Sequence, residues 1–86
     1  MFKIEISPTA EKEIKSLPKR EQTKIIKRIF KLSDDPKPAG VKKLKGMDSL
    51  FRVRQGNWRI IYTIENRKLH VLVLKVGQRK NVYKLK

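Results

Sequence analysis

Three strand-like segments joined by very short turns fill the second half of the chain and predict a β-meander. Apolar residues recur at alternate positions in these segments, as in a strand with one buried face. The first turn is Gly56-Asn57 and the second spans residues 65–68. Connections this short join neighbouring antiparallel strands. The predicted strands are Leu50–Gln55, Trp58–Ile64 and Leu69–Val76.

Prolines divide the first half of the chain into a short strand and two helices. Apolar and charged residues alternate over residues 2–6, which predicts a half-buried strand. Ser7 and Pro8 predict the start of a helix, because serine caps helices and proline fits the first helical position. Pro18 ends this helix, and a second helix is predicted over residues 19–33.

The second helix carries an apolar stripe that predicts which side of it is buried. The residues of this stripe are Ile25, Ile26, Ile29, Phe30 and Leu32. Asp34-Asp35-Pro36 then stops the helix, and residues 36–49 are predicted to form a loop or a short extended segment. The two helices are expected to form a hairpin whose apolar sides share one core.

The order of these elements predicts a two-layer α+β fold, β-α-α-β-β-β, with one further short strand possible through Val82 and Leu85. In this fold the helical hairpin packs on one face of a mainly antiparallel sheet and the other face is open. The length of 86 residues allows one domain, residues 1–86.

Composition excludes several classes of protein. The chain has no apolar run long enough to span a membrane, and its N-terminus lacks the apolar core of a signal peptide. It contains no cysteine, so neither a disulfide framework nor a thiolate metal site is possible. We therefore expect a cytoplasmic protein with no membrane partner, no metal and no cofactor.

A formal net charge of +15 is the strongest functional signal in the composition. Asp48 is the only acid between Pro36 and Ile64, and no acid follows Glu65. A lysine-rich solvated surface would account for some of this excess. Ordinary surfaces mix both signs, however, so the imbalance favours a polyanionic partner.

Three arginines are predicted to meet on the open face of the sheet. Arg52 and Arg54 project from the same side of one strand, and Arg59 lies at the start of the next strand, beside Trp58, after the tight turn. Guanidinium groups bind phosphate oxygens and stay charged at any working pH. In RNA the neighbouring 2′-OH can serve as nucleophile, so this inventory allows either a metal-free ribonuclease or plain RNA binding.

Each of these residues also has a structural interpretation. Arg52, Arg54 and Arg59 could be solvated surface residues or members of ion pairs at the rim of the sheet. Tyr62 and Trp58 fit a core position better than a functional one. His70 is the only histidine and has no evident partner in the sequence, so a structural role is expected for it.

The order and spacing of five short motifs over nearly the whole chain resemble the RelE branch of the RelE/ParE toxin superfamily. The motifs are Lys43-Leu44-Lys45-Gly46-Met47, Leu50-Phe51-Arg52-Val53-Arg54, Trp58-Arg59-Ile60-Ile61-Tyr62, Val76-Gly77-Gln78-Arg79 and Val82-Tyr83. The resemblance implies the toxin of a type II toxin–antitoxin pair. Such toxins enter the ribosomal A site and cut mRNA there by attack of the 2′-OH on the adjacent phosphate.

The resemblance also implies a set of site residues. The basic strand positions of the family fall on Arg52 and Arg54, and its transition-state arginine falls on Arg59. Arg79 would lie near the leaving 5′ oxygen, and Tyr83 would stack on or orient a base. Lysines on the flanking segments are expected to bind RNA or the ribosome: Lys42, Lys43, Lys45, Lys80 and Lys84.

One departure from the family affects the chemistry. RelE-type toxins carry lysines at the two strand positions that are Arg52 and Arg54 here. A lysine can lose a proton when its pKa is lowered, whereas an arginine essentially cannot. This pair is therefore expected to supply charge and alignment.

The implied partners are an acidic antitoxin, the ribosome with its mRNA, and operator DNA only through the antitoxin complex. Two other functions remain open at the level of sequence. One is a ParE-like toxin that acts on DNA gyrase, and the other is a basic RNA-binding module without activity.

Overall fold

The computed structural model describes residues 1–44 and 50–78 and has two helices packed on a five-stranded mixed sheet. The elements are β1 (Lys3–Ile6), α1 (Pro8–Lys15), α2 (Lys19–Lys31), β2 (Lys42–Lys43), β3 (Leu50–Gln55), β4 (Trp58–Glu65) and β5 (His70–Gln78). The predicted two-layer α+β fold and its helical hairpin are confirmed. Strand β5 runs two residues beyond its predicted end at Val76, which brings Gly77 and Gln78 into the sheet.

The strands lie in the order β1-β5-β4-β3-β2. Strands β2 to β5 pair antiparallel with their neighbours, as the short turns predict. Strand β1 pairs parallel with β5, which places the first strand of the chain beside the last described one. The sheet is therefore mixed, with one parallel pair at its edge.

Local capping accounts for both ends of the helical hairpin. The Ser7 hydroxyl accepts a 3.1 Å hydrogen bond from the Ala10 N–H, and Pro8 occupies the first turn of α1. Helix α2 ends at Lys31, two residues before the predicted end at Ser33. Its last turn tightens there, because the Leu32 N–H bonds to the Ile29 carbonyl and the Ser33 N–H bonds to the Phe30 carbonyl.

The main core lies between the hairpin and one face of the sheet. Ile25, Ile29 and Leu32 of the predicted stripe are buried in it. Phe30 is not: 56% of its surface is exposed, so its assignment to the buried stripe is wrong. The physical reason is helical geometry, since each residue turns the side chain by about 100°, and Phe30 follows the inward-facing Ile29.

The opposite face of the sheet was expected to be open, but part of it is covered. Leu50 and Ile61 are buried there, with Leu44 and Leu74 packed against them. This second cluster is small, and it separates the arginine side chains from the far end of the same face.

Neither helix in the described part of the chain is long and apolar enough to cross a membrane. The predicted extra strand through Val82 and Leu85 lies outside the described residues.

Candidate nucleic-acid interface

The β3–β4 hairpin brings two of the predicted arginines directly opposite each other. Arg54 pairs with Arg59, and the hairpin closes one step further on, where Gln55 pairs with Trp58. Gly56 takes a φ of 60°, the left-handed conformation that a two-residue hairpin turn requires at its first position. Directly opposed residues have Cβ atoms about 5 Å apart, so two guanidinium groups can reach one anion.

The third arginine extends this pair along the same face. Arg52 lies opposite Ile61 on one side and Lys42 of β2 on the other. Paired residues in an antiparallel sheet share a face, so Lys42 joins the arginines. Lys43 pairs with Phe51, a residue of the main core, and therefore belongs to the other face. The structure thus brings Lys42 to the candidate site but not Lys43.

A shallow recess of about 260 Å³ lies at the end of this face. Its lining residues are Arg54, Asn57, Arg59 and Gln78. Its volume is below the range of about 300–1,000 Å³ that is typical of sites enclosing a whole drug-sized ligand. It suits a phosphate with part of a nucleotide, because two arginines and two uncharged polar residues line one small space.

The sequence does not identify the two uncharged residues of this recess. The sequence places Asn57 in a turn and predicts that the last strand ends at Val76, before Gln78. The closure of the hairpin and the added length of β5 place both residues at the recess beside the arginines. The usable signal was the Val76-Gly77 pair, which continues the strand pattern toward Gln78.

The electrostatics of the site favour an anionic ligand. Like charges directly opposite on neighbouring strands destabilise a sheet, and Arg54 and Arg59 are such a pair. Arg54 is exposed, whereas Arg52 and Arg59 are half-buried. A phosphate between the two guanidinium groups would offset their repulsion and accept bidentate hydrogen bonds from them.

The indole of Trp58 links this end of the sheet to helix α2 of the helical hairpin. Its Nε1–H donates a 3.2 Å hydrogen bond to Glu21 Oε1 on α2, and its ring packs against the main core. The expected packing role of Trp58 is therefore confirmed. Arg59 is the next residue in β4, so the contacts of Trp58 with α2 and the core help to fix the backbone position of Arg59.

Two other polar residues of the sheet lie away from the arginines. His70 pairs with Glu65, six residues along β4 from Arg59, a separation of about 20 Å at the usual strand rise. The structure gives His70 a partner that the sequence did not reveal, because its Nε2 lies 2.9 Å from Glu5 Oε1. Neither its position nor its partner suits a role in the recess.

Tyr62 is fully buried in the main core, as predicted. Its hydroxyl donates a 2.7 Å hydrogen bond to the Pro36 carbonyl. Burial raises the pKa of this hydroxyl well above its ordinary value, with a smaller opposing effect from the Arg28 charge. Tyr62 is therefore a neutral structural residue.

Several predicted site residues lie outside the described residues. They are Lys45, Arg79, Lys80, Tyr83 and Lys84. Within residues 1–44 and 50–78, no three histidine or acidic side chains cluster as metal ligands.

Comparisons with known proteins agree with the fold and the order of motifs. Residues 4–83 match a family described as the ParE toxin of type II toxin–antitoxin system, parDE. A protein of Methanocaldococcus jannaschii named as a putative toxin RelE1 is 31% identical to this chain in an alignment that covers 96% of each chain.

Solved structures with the same fold include complexes of such toxins. The archaeal RelE–RelB complex of Pyrococcus horikoshii contains a chain that superposes with a TM-score of 0.81 at 27% identity, covering 92% of this chain and 96% of that one. The RelBE2 toxin–antitoxin complex of Mycobacterium tuberculosis gives a TM-score of 0.80 at 26% identity, covering 91% and 98%.

Proposed function

This chain is a type II toxin–antitoxin toxin of the RelE branch of the RelE/ParE superfamily, and from that premise we propose that it is a ribosome-dependent endoribonuclease. It cuts mRNA at the codon in the ribosomal A site and so inhibits translation in the cytoplasm. Residues 1–86 act as one domain. The observation that supports this proposal best is the direct opposition of Arg54 and Arg59 beside a recess that suits a phosphate and part of a nucleotide.

The proposed reaction is an in-line displacement at phosphorus. The 2′ oxygen forms a bond to the adjacent phosphorus and loses its proton, while the bond to the 5′ oxygen breaks and that oxygen gains a proton. The products are a 2′,3′-cyclic phosphate and a 5′-OH. Because the RNA supplies its own nucleophile, the step needs neither a protein nucleophile nor a metal ion.

The arginines act on the charge that develops at the phosphate. Arg54 and Arg59 contact its non-bridging oxygens, and fixed cations stabilise a transition state most where water is excluded. Arg52 and Lys42 continue the cationic face away from the recess and bind the neighbouring phosphates of the strand.

The remaining predicted residues complete the proposal. Arg79 neutralises the leaving 5′ oxygen and Tyr83 orients a base. The lysines that support contact with the ribosome are Lys45, Lys80 and Lys84. Lys43 is left out of the proposed site because it pairs with a core residue.

We also propose an acidic antitoxin as the cognate partner, which would bring the toxin to operator DNA. A net charge of +15 favours an acidic segment and speeds its association, and the solved relatives named above are complexes with an antitoxin. A mainly apolar groove of about 210 Å³ beside Ile6, Ile14 and Ile26 is a suitable binding site for a helix of the antitoxin.

The test of catalysis uses purified ribosomes programmed with a short mRNA. Mapping of the new RNA ends should show cuts within the A-site codon, each with a 5′-OH on the downstream fragment. The same mRNA without ribosomes should stay intact. Cuts that are independent of ribosomes, or no cuts at all, would contradict the proposal.

A gyrase-directed toxin is the second candidate, and it is favoured by the match to the ParE family description. DNA gyrase and supercoiled plasmid are incubated with the same preparation of toxin. Accumulation of cleaved gyrase–DNA complexes without RNA cuts would identify the second function. Our proposal predicts RNA cuts and unchanged gyrase activity.

A further inference from the structure

Strand β5 contains a β-bulge a few residues before the recess. Tyr62 pairs with Val73, whereas Ile61, the residue before it in β4, pairs with Lys75. Leu74 is therefore the extra residue of β5. A bulge takes backbone groups out of the ladder. Strand β1 ends at Ile6 opposite Val73 and does not accompany β5 past this point.

Two side chains bind the backbone of β5 at and just after this bulge, one from the N-cap of α1 and one from its second turn. The Ser7 hydroxyl donates a 3.0 Å hydrogen bond to the Leu74 carbonyl. One carboxylate oxygen of Glu13 accepts a 2.8 Å hydrogen bond from the Val76 N–H, and the other lies 3.3 Å from Lys75 Nζ. Glu13 therefore holds two successive residues of β5 on the far side of the bulge.

The bulge determines which residue of β5 lies next to Arg59. With it, Gly77 is opposite Arg59 and Val76 is opposite Ile60, where Val76 is 2% exposed in the main core. Without it, the register would slip by one residue, so Val76 would face Arg59 and Lys75 would face buried Ile60. A one-residue slip exchanges the two faces of a strand.

We infer that Glu13 is a positioning residue for the Arg54–Arg59 site. It is not among the residues that line the recess; it acts through β5 by fixing the bulge. That contact keeps glycine, which has no side chain, opposite Arg59 and keeps Gln78 at the edge of the recess. The catalytic consequence rests on the proposed function, whereas the positioning itself does not.

Three variants test the hydrogen bond and the charge of Glu13 separately. Glu13→Ala removes both interactions with β5. Glu13→Gln keeps a carbonyl oxygen for the Val76 N–H but removes the charge that pairs with Lys75. Glu11→Ala is the matched control, because Glu11 is an exposed carboxylate of the same helix whose ion pair with Lys15, at 3.7 Å, stays within α1.

The first measurement needs no ribosome. NMR of the free toxin should show that Glu13→Ala shifts the amide signals of Val76, Gly77 and Gln78 and the side-chain N–H of Arg59. Glu13→Gln should shift them less, and Glu11→Ala should leave them in place. Unchanged Gly77 and Arg59 signals in a folded Glu13→Ala protein would overturn the inference.

The second measurement separates kcat from KM on programmed ribosomes, well below the unfolding temperature. For Glu13→Ala we expect kcat to fall by up to about 10²-fold, the cost of a misplacement of ~1 Å, with KM for the ribosome unchanged. Glu13→Gln should recover most of kcat. A purely structural role would lower stability but leave kcat of the folded protein equal to that of Glu11→Ala, which would also overturn the inference.

The two arms distinguish failure of the inference from failure of the proposed function. A wild-type protein that cuts no RNA on ribosomes contradicts the endonuclease proposal, and the NMR arm alone then decides whether Glu13 positions the end of β5. A wild-type protein that cuts RNA, with a Glu13→Ala variant that cuts equally fast, contradicts the role of Glu13 in catalysis.

Discussion

The two faces of the β3–β4 hairpin have opposite chemistry although their residues alternate along the same strands. Phe51 and Val53 of β3 lie in the main core, whereas Arg52 and Arg54, which alternate with them, project from the other side. One face gains stability from apolar burial, and the other concentrates positive charge at some cost to the sheet. The hairpin thereby keeps the residues that stabilise the fold separate from those proposed to act on RNA.

Different side-chain contacts stabilise the two faces. On the core face the buried hydroxyl of Tyr62 has a hydrogen-bond partner in the Pro36 carbonyl. On the arginine face the small cluster of Leu50 and Ile61 supports the sheet beside the charged residues. Substitutions on the two faces should therefore separate stability from activity, and the predictions below run from the largest expected effect to the smallest.

The largest effect is expected for Ile29→Ala on the core side. Ile29 is fully buried between α2 and the sheet, so its truncation should lower the free energy of unfolding by ~2–5 kcal/mol. Phe30→Ala is the matched control, because its exposed side chain should change stability by less than about 0.5 kcal/mol. Denaturant unfolding measures both, and equal losses would contradict the assigned faces.

Arg59→Ala should have the largest effect on activity. Loss of one preorganised donor to the transition state lowers the rate by about 10²–10³-fold, and the melting temperature should stay close to that of the wild type. Single-turnover cleavage on programmed ribosomes measures the rate. The control is Arg67→Ala, which removes the same charge from the exposed β4–β5 turn. A folded Arg59→Ala protein that cuts as fast as this control would falsify the site assignment.

Tyr62→Phe should cost about 1 kcal/mol of stability, since it removes the hydrogen bond to the Pro36 carbonyl. The effect should depend on pH. Because burial raises the pKa of Tyr62 in the folded state above its unfolded value near 10, its contribution is complete below about pH 10 and is lost as the pH rises further. Unfolding curves of both proteins between neutral and alkaline pH measure this. A gap that widens above pH 10 would contradict the sign.

Arg54→Lys should have the smallest effect, a few-fold decrease in cleavage rate. The charge remains while the bidentate contact is lost, and Arg52→Lys should behave alike. Arg54→Gln is the comparison that removes the charge, and it should cut more slowly than Arg54→Lys. The pH–rate profile should have the same shape in the wild type and both lysine variants. Equal rates for Arg54→Lys and Arg54→Gln would show that charge at this position is unimportant.

Much of the fold follows from local sequence. The Ser7-Pro8 start of α1, the Gly56-Asn57 turn and the alternation in β3 each depend on interactions within a few residues. Capping, turn conformation and strand alternation act over that range, so the sequence predicts them directly. The same alternation also predicts that Arg52 and Arg54 share a face, and the turn predicts that Arg59 lies near them.

The tertiary structure decided what depends on distant partners. Parallel pairing of β1 with β5 joins residues about 67 positions apart, and no local pattern specifies which edge the first strand takes. The same holds for the bulge at Leu74, which depends on Ser7 and Glu13 from the other end of the chain. Sequence alone determined that this chain would present arginines on a sheet. The contact from α1 determined which residue of β5 lies beside them, because strand register is set by packing between elements that meet only in the folded protein.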